Sequence, residues 1–260
     1  MLLKDLVTII TGGGRGIGRA IARKFSAEGA AIVVAARTAK EVEAVAAEIQ
    51  HSGGRAKAVV ADVAREEDCA RIVAAAREAF GRVDILVNNA GVFGPVKPAE
   101  EITGSEWDAV LNVNLRSAFL LTRLVLPEMY ARGAGAILNV SSIAAKHAFS
   151  LNAPYATSKA GMLALTRSLA AEAARKGVRV NALCPGIVSE TQMSRELGQE
   201  LARRLGGDPE TGLALALENV LQGRATTADE VAAAALFLVS DQANAITGQA
   251  INVDGGMVFY

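Results

Sequence analysis

Tyr155 and Lys159 are the residues whose types and spacing point most directly to chemistry. They stand four positions apart in the run Tyr-Ala-Thr-Ser-Lys, and two such side chains share one face of a helix. An ammonium group close to a phenol favours the phenolate and lowers the phenol's pKa, toward the range in which it exchanges a proton with a substrate oxygen. A solvated helix surface explains the pair equally well, so the chemical interpretation depends on other segments.

Three further features occur in order along the chain and support the chemical interpretation. A glycine-rich turn, Thr11–Gly18, follows the first apolar segment. The tetrapeptide Asn-Asn-Ala-Gly at 88–91 ends a later apolar segment, and Ser142 stands thirteen residues before Tyr155.

With these motifs the chain resembles the short-chain dehydrogenase/reductase family from about Lys4 to Gly256. The resemblance implies a Rossmann-type fold and reversible hydride transfer between a nicotinamide cofactor and a carbonyl or alcohol. It also implies a catalytic set, which comprises Asn114, Ser142, Tyr155 and Lys159.

The resemblance implies a role for each member of that set. Tyr155 would protonate the developing alkoxide during reduction, and its phenolate would remove the hydroxyl proton during oxidation. Lys159 would lower the pKa of Tyr155 and hold the nicotinamide ribose hydroxyls. Ser142, which fits the spacing to Tyr155 better than Ser141, would donate a hydrogen bond to the substrate oxygen. Asn114 would hold a water that relays protons to Lys159.

The glycine-rich turn predicts a dinucleotide site. Glycine between a strand and a helix permits a tight turn and lets backbone N–H groups approach a pyrophosphate at the helix N-terminus. The resemblance places the pair Asp62-Val63 along the adenine ring and the N–H of Val188 against the carboxamide. The family's threonine falls at Glu190, and a one-residue insertion would restore Thr191 to that place. The residues expected to bind the cofactor are Gly12, Gly14, Arg15, Gly16, Ile17, Gly18, Arg37, Asp62, Val63, Asn89, Ala90, Gly91, Tyr155, Lys159, Pro185, Gly186, Val188 and Thr191.

The end of the second predicted strand favours NADP(H), with NAD(H) possible. An NAD site usually presents an acidic residue here for the ribose 2′-hydroxyl, yet Ala36 occupies that position and no carboxylate lies between Glu28 and Glu41. Arg37 follows, and a guanidinium binds a 2′-phosphate with charge-assisted hydrogen bonds. Arg15 in the glycine turn can supply a second positive charge.

Short apolar runs alternate with longer helical patterns, which predicts one α/β domain over residues 1–260 with a doubly wound, seven-stranded parallel sheet. The predicted strands are Leu6–Ile10, Ala31–Ala36, Ala56–Ala61, Ile85–Asn88, Gly135–Val140, Arg179–Leu183 and Gln249–Val253. The predicted helices are Gly16–Glu28, Ala39–Gln50, Glu66–Phe80, Ser105–Tyr130, Tyr155–Lys176 and Ala228–Val239.

The segment Ser189–Gly223 breaks this alternation. Its pattern is helical but interrupted by Gly198, Gly206-Gly207 and Pro209. Because it follows Pro185-Gly186 at the carboxyl end of a strand, where open parallel sheets bind ligands, we interpret it as a lid over the substrate.

Composition narrows the class of protein. The 27 basic and 27 acidic residues balance, and no block of like charge suggests nucleic-acid binding. Two cysteines, Cys69 and Cys184, argue against a disulfide framework and fit a reducing cytosol. The N-terminus lacks a signal-peptide pattern and the longest apolar stretch, Val231 to Val239, is too short for a membrane span, so we expect a cytoplasmic protein. No metal site is expected.

The leading functional interpretation is an NADPH-dependent ketoreductase similar to 3-oxoacyl-[acyl-carrier-protein] reductases. Arg132 and Lys176 could face an acidic carrier protein. The length of Ser189–Gly223 resembles relatives that act on free polyols, sugars or cyclic alcohols, which is the alternative. A cofactor-binding regulatory protein without turnover is a remote third. The resemblance also implies a homotetramer formed through the two long helices.

Overall fold

The computed structural model describes residues 1–189, 191–205 and 208–260. The strands in these residues are β1 Val7–Thr11, β2 Ala31–Ala36, β3 Arg55–Val60, β4 Ile85–Asn88, β5 Gly135–Val140, β6 Val178–Pro185 and β7 Ala250–Val253. They join one parallel sheet in the order β3-β2-β1-β4-β5-β6-β7, which confirms the predicted doubly wound Rossmann-type architecture. Three of them have the predicted bounds, and β6 extends two residues beyond its predicted end.

The central strands are apolar throughout because helices cover both faces of the sheet. Ile10 of β1 and its register partner Val34 face one helical layer, whereas Ile9 and Val33 face the other. Along a strand successive side chains point to opposite faces, so one continuous apolar run supplies both cores.

The helices form two layers around this sheet. Helices α1 Gly16–Ala27, α2 Ala39–His51 and α9 Ala228–Val239 pack on one face; α3 Glu66–Phe80, α5 Ser117–Arg132 and α6 Ala153–Ala173 pack on the other. Helices α4 Gly104–Leu111, α7 Gln192–Leu205 and α8 Pro209–Leu217 complete the described set. The observed bounds of α3 and α9 match the prediction.

The long helix predicted at Ser105–Tyr130 is divided. Helix α4 begins at a capping box between Thr103 and Glu106, and a π-helical segment, Asn112–Arg116, separates α4 from α5. Inserted π-helical turns are rare and frequently occur at functional sites. This segment carries Asn114, so the departure from the prediction falls on a predicted catalytic residue.

The stretch Gly104–Arg132, which spans α4 and α5, is long and apolar enough to cross a membrane by length and composition. Half of its most apolar window is buried inside the protein. Its α5 portion packs against α3, α6 and the sheet, as an interior helix does.

The segment expected to be a lid contains two helices that pack against each other, α7 and α8. Gly198 lies within α7 and does not interrupt it, which corrects the sequence expectation. Asp208 caps α8, because its side chain accepts hydrogen bonds from the N–H groups of Glu210 and Thr211. Gly206 and Gly207, and also Glu190, lie outside the described residues.

Candidate active site

A cavity of about 900 Å³ opens at the carboxyl ends of the strands. The position is the one that open parallel sheets use for ligands. Of the residues predicted from sequence, those lining it are Gly12, Gly14, Arg15, Gly16, Ile17, Gly18, Arg37, Asp62, Val63, Asn89, Ala90, Gly91, Ser142, Tyr155, Lys159, Pro185, Gly186, Val188 and Thr191. Asn114 is not among the lining residues and is fully buried.

The glycine turn is held tightly against the end of β4. Gly12 has a φ of +61°, and a Cβ there would lie 2.9 Å from the Cα of Ala90. A Cβ on Gly18 would lie 2.3 Å from the carbonyl oxygen of Gly12. Asn89 Nδ2 donates to the carbonyl oxygens of Thr11 and Gly12, at 2.9 and 3.1 Å. The Asn89 side chain therefore fixes the shape of the turn.

The N-terminus of α1 opens into the cavity and fits an anionic group. Arg15, at the N-cap position, makes no side-chain capping hydrogen bond, and the first turn carries no acidic residue. A Cβ on Gly16 would contact only Thr191, at 3.5 Å or more. Free N–H groups at a helix N-terminus bind phosphate, so these residues fit the pyrophosphate of a dinucleotide.

The end of β3 presents Asp62 in a fixed orientation. Its backbone N–H donates to Asp68 Oδ2 at 2.7 Å, and its own Oδ1 accepts from the N–H of Ala64 at 3.0 Å. Val63 beside it is buried. The pair therefore forms a defined wall of the cavity.

A carboxylate that was not among the predicted site residues lines the cavity. Glu41, in the first turn of α2, lines the cavity beside Arg37 and accepts from Arg15 Nη1 at 3.3 Å. Helix α2 begins at Ala39, directly after β2, so its first turn still lies at the ligand-binding edge of the sheet. The positive charge expected from Arg15 is therefore shared with a carboxylate.

Burial controls the ionisation of Tyr155, which is 5% exposed. Removal from water raises the pKa of its phenol to about 12, while a hydrogen bond with Ser142 acts in the lowering direction. The net shift is opposite to the direction expected from Lys159 because the effect of burial is the largest, and the lowering effect of Lys159 itself stays a prediction. The Nζ atom of Lys159 is 5.7 Å from the centre of the Tyr155 ring.

Lys159 lines the same cavity and is buried. Its Nζ donates to the carbonyl oxygen of Val140 at 2.8 Å, and burial lowers its pKa to about 8. A Cβ on Gly91 would lie 3.4 Å from Nζ and 3.5 Å from Asn114 Oδ1. The bare backbone of Gly91 therefore keeps open the space between Lys159 and Asn114.

Asn114 connects three elements. Its Oδ1 accepts from the N–H of Val92 at 2.8 Å, and its Nδ2 donates to Val92 O and Ser158 Oγ, both at 3.0 Å. These bonds tie the π-helical segment to the loop after β4 and to α6. The water-relay role of Asn114 stays a prediction.

The chain beyond β6 reaches back over the cavity. Val188 pairs with Thr226 in an isolated parallel bridge, in which Ser189 N–H and Ile187 O bond to Thr226. The carbonyl of Val188 points the other way and accepts from Thr191 Oγ1 at 3.0 Å. In extended chain the N–H of a residue points to the same side as its carbonyl, so the N–H of Val188 also points away from Thr226, and its bond to the carboxamide stays a prediction.

Besides Glu41, three other residues that were not predicted from the sequence also line the cavity. Phe93 packs its ring against that of Tyr155, with centroids 5.0 Å apart. Met193 of α7 places Sδ 3.5 Å from Tyr155 Oη. Asn152, just before α6, is 5% exposed and lines the cavity. Only the helical spacing of Asn152 to Tyr155 offered a signal in the sequence.

No group of three or more metal-ligating side chains occurs in the part of the chain that the structure describes. Cys69 and Cys184 are buried and unpaired. Burial raises the pKa of the Cys69 thiol to about 11 and that of Cys184 above its usual range. Neither thiol is therefore activated as a nucleophile.

The comparisons with known proteins agree with the fold and with the motifs that line the cavity. A sequence profile described as short chain dehydrogenase matches residues 6–202. The chain is 39% identical over 254 residues to the short-chain reductase protein NovJ of Streptomyces niveus, across 97% of this chain and 94% of that protein. It is 35% identical over 261 residues to the 3-oxoacyl-[acyl-carrier-protein] reductase FabG of Thermotoga maritima, across 99% and 100%. A crystal structure of an actinorhodin polyketide ketoreductase variant with NADPH is similar at a TM-score of 0.94 and 35% identity, across 98% of each chain.

Proposed function

We propose that this chain, which belongs to the short-chain dehydrogenase family, is an NADPH-dependent reductase of 3-oxoacyl thioesters. As a family member it is an oxidoreductase that acts on C=O and CH–OH groups and binds a nicotinamide cofactor. The observation that carries the proposal is that Tyr155, Ser142 and the glycine turn all line the same cavity.

The substrate carbonyl would be held and protonated by two side chains. Ser142 would donate a hydrogen bond to the carbonyl oxygen, which stabilises negative charge as it develops there. With its pKa raised to about 12, Tyr155 is protonated at neutral pH and would give its proton to that oxygen. The nicotinamide cofactor supplies the hydride that is added to the carbonyl carbon. In the oxidative direction the phenolate would take the proton back.

The cofactor would be held along the opposite side of the cavity. The free N–H groups of α1 suit its pyrophosphate, and Arg37 suits a 2′-phosphate. Lys159 would hold the ribose hydroxyls, and Val188 and Thr191 the carboxamide. Glu41 opposes an added phosphate, but its pairing with Arg15 offsets part of that repulsion.

One argument supports the 3-oxoacyl class. The relatives named above include a 3-oxoacyl-[acyl-carrier-protein] reductase and a polyketide ketoreductase, each similar over nearly the whole chain. Arg132 does not support it: its guanidinium donates to Val83 O and pairs with Asp84 and Glu128, so its charge is already neutralised. The substrate class therefore rests on the relatives.

The alternative, a dehydrogenase of free polyols, sugars or cyclic alcohols, is favoured by the lid. Helices α7 and α8 bring Met193, Leu215 and Ala216 to the lining of the cavity.

We also place the protein in the cytoplasm, because both of its cysteines are unpaired.

The test is oxidation of NADPH, and separately of NADH, with acetoacetyl-CoA and with a panel of cyclic ketones and keto sugars. We expect turnover of acetoacetyl-CoA with a preference for NADPH. Activity confined to the cyclic ketones or keto sugars would move the protein to the alternative class. A preference for NADH would contradict the assigned cofactor.

A further inference from the structure

Glu41 places a carboxylate at the edge of the cavity where β2 ends. The N–H of Gly13 donates to the carbonyl of Ala35 at 3.4 Å, so the glycine turn lies against the end of β2. A Cβ on Gly14 would lie 2.8 Å from the Cβ of Glu41 and 3.2 Å from its Oε2. The carboxylate therefore lies over the glycine turn, beside the strand end at which dinucleotide sites recognise the ribose 2′ position.

The other carboxylates that line the cavity belong to different elements. Asp62 follows β3 and its Oδ1 accepts from the N–H of Ala64, whereas Glu196 and Glu200 are on α7. Among the lining residues that the structure describes, Glu41 is therefore the one carboxylate between the end of β2 and the first turn of α2. The same short segment carries Arg37.

The guanidinium of Arg15 is bound by this carboxylate. Its Nη1 donates to Oε1 of Glu41 at 3.3 Å, and the two side chains are 59% and 31% exposed. An ion pair this exposed contributes little to stability, because water screens it and ordering two long side chains costs entropy. A ligand phosphate, which accepts charge-assisted hydrogen bonds from a guanidinium, can therefore displace the carboxylate from Arg15 at little cost.

The helices α1 and α2 are joined by similar ion pairs outside the cavity. Glu48, two turns after Glu41 on α2, pairs with Arg19 at 2.9 Å and with Arg23 at 3.1 Å. Its side chain is 32% exposed, and it does not line the cavity. The two helices therefore stay joined by ion pairs when the pair of Glu41 with Arg15 is removed.

We propose that Glu41 determines how strongly the cofactor site prefers NADPH, because its carboxylate competes with the 2′-phosphate for the guanidinium of Arg15. This rests on the proposed function, in which that phosphate lies at the end of β2 beside Arg37. Binding of NADPH replaces the Arg15–Glu41 pair by an Arg15–phosphate pair and leaves the carboxylate near a second anion. Both consequences lower the affinity for NADPH, whereas NADH carries a hydroxyl in place of the phosphate and leaves the pair intact.

The test is the ratio of the dissociation constants of NADH and NADPH, measured from cofactor fluorescence without substrate. Glu41→Gln keeps the shape of the side chain and removes its charge, so Arg15 no longer has an anionic competitor. We expect NADPH to bind about three- to tenfold more tightly and NADH to bind as it does to the wild type. The gain should shrink at about 1 M salt, where the Debye length is about 3 Å.

Two further variants separate competition from other effects. If Glu41 acts by occupying Arg15, the gain from Glu41→Gln should be less than about twofold in the background of Arg15→Gln, since coupled residues are not additive. Glu48→Gln is the matched control, because Glu48 pairs with arginines of the same helix, is equally exposed and lies outside the cavity lining. It should leave both dissociation constants unchanged.

An unchanged or weaker affinity for NADPH in Glu41→Gln would overturn the inference, and a wild type that still prefers NADPH would then leave the proposed function intact. A gain of equal size with and without Arg15 would also overturn it, because the carboxylate would then act by direct repulsion alone. Equal gains for NADH and NADPH would overturn it as well, since the effect would not depend on the 2′-phosphate.

The wild-type preference is interpreted separately. A wild type that prefers NADH and shifts toward NADPH in Glu41→Gln would support the competition and refute the assigned cofactor. A ratio that favours NADH equally in the wild type and in Glu41→Gln would refute both.

Discussion

At the scale of single residues, burial shifts Tyr155 and Lys159 in opposite directions. The pKa of the phenol rises to about 12 and that of the ammonium falls to about 8, so removal from water favours the neutral form of each. A protonated phenol at neutral pH suits a residue that gives a proton to a reduced carbonyl.

The lowered pKa of Lys159 predicts a pH-dependent stability. Between about pH 8 and the unfolded value of 10.5 the unfolded state binds more protons, so the free energy of unfolding rises with pH. Compared with Lys159→Met, the wild type should gain up to about 3 kcal/mol over this range, from the size of the pKa shift. Urea unfolding at pH 7 to 10 measures this difference, with Lys24→Met at an exposed position as the control. A difference between wild type and Lys159→Met that does not change with pH would contradict the burial argument.

Arg37 predicts a charge-dependent choice of cofactor. Arg37→Glu would remove the proposed donor to the 2′-phosphate and add a repelling charge, so NADPH should bind about 10- to 100-fold more weakly. NADH, which lacks that phosphate, should be affected far less. Dissociation constants from cofactor fluorescence measure both, and Arg55→Glu reverses an exposed charge remote from the cavity as a control. Equal losses for the two cofactors would refute the contact.

The sequence alone was sufficient to predict the positions of the residues that belong to ordered motifs. The glycines, Ser142, Tyr155 and Lys159 all lie where their motifs predict, in one cavity. Glu41 and Asn152 were missed because their positions depend on where α2 begins and on the turn at Leu151, which has a φ of +69°. The pKa of Tyr155 also depends on burial, which spacing alone does not reveal.

At the scale of elements, the π-helical segment is the clearest departure from the sequence pattern. The apolar periodicity runs unbroken through Ser105–Tyr130 and predicts one helix. The wider turn at Asn112–Arg116 accompanies the bonds of Asn114 to Val92 and Ser158. These are tertiary contacts, and they cannot be predicted from hydrophobic periodicity.

Helix α7 predicts a steric limit on the substrate. Met193 contacts the Tyr155 hydroxyl, so a substrate carbonyl that bonds to this hydroxyl must share its space. Met193→Ala should raise kcat/KM several-fold for 3-oxoacyl thioesters branched next to the ketone, since deleting this side chain frees volume. The same assay on Arg203→Ala, at an exposed position of α7, is the control. If branched substrates gain nothing from Met193→Ala, the lid does not limit their access through this residue.

At the scale of the whole molecule, strand–helix alternation was enough to predict the sheet. Ligands bind where strand order reverses, and here the reversal lies between β1 and β4. The glycine turn after β1 and the Asn-Asn-Ala-Gly motif after β4 flank that point. Order along the chain therefore predicted proximity in space, whereas the shape of the substrate end depends on loops and on α7 and α8.

The homotetramer implied by the family resemblance stays a prediction, and the exposed surfaces of α5 and α6 allow it. Helix α6 exposes small side chains at Ala160 and Ala164, and α5 exposes Phe119, which is 45% accessible. Light scattering should give four times the 26.9 kDa chain mass. Ala164→Arg should lower that mass, whereas Ala47→Arg, on the opposite layer, should not. A wild-type mass of one chain would exclude this assembly.

The central claim is that Tyr155 transfers the proton in carbonyl reduction. The most direct test measures acetoacetyl-CoA reduction by NADPH in the wild type and in Tyr155→Phe, together with NADPH affinity in both. Removal of one hydroxyl should lower kcat about 100-fold or more and leave the cofactor dissociation constant nearly unchanged. Turnover by Tyr155→Phe close to that of the wild type would contradict the claim.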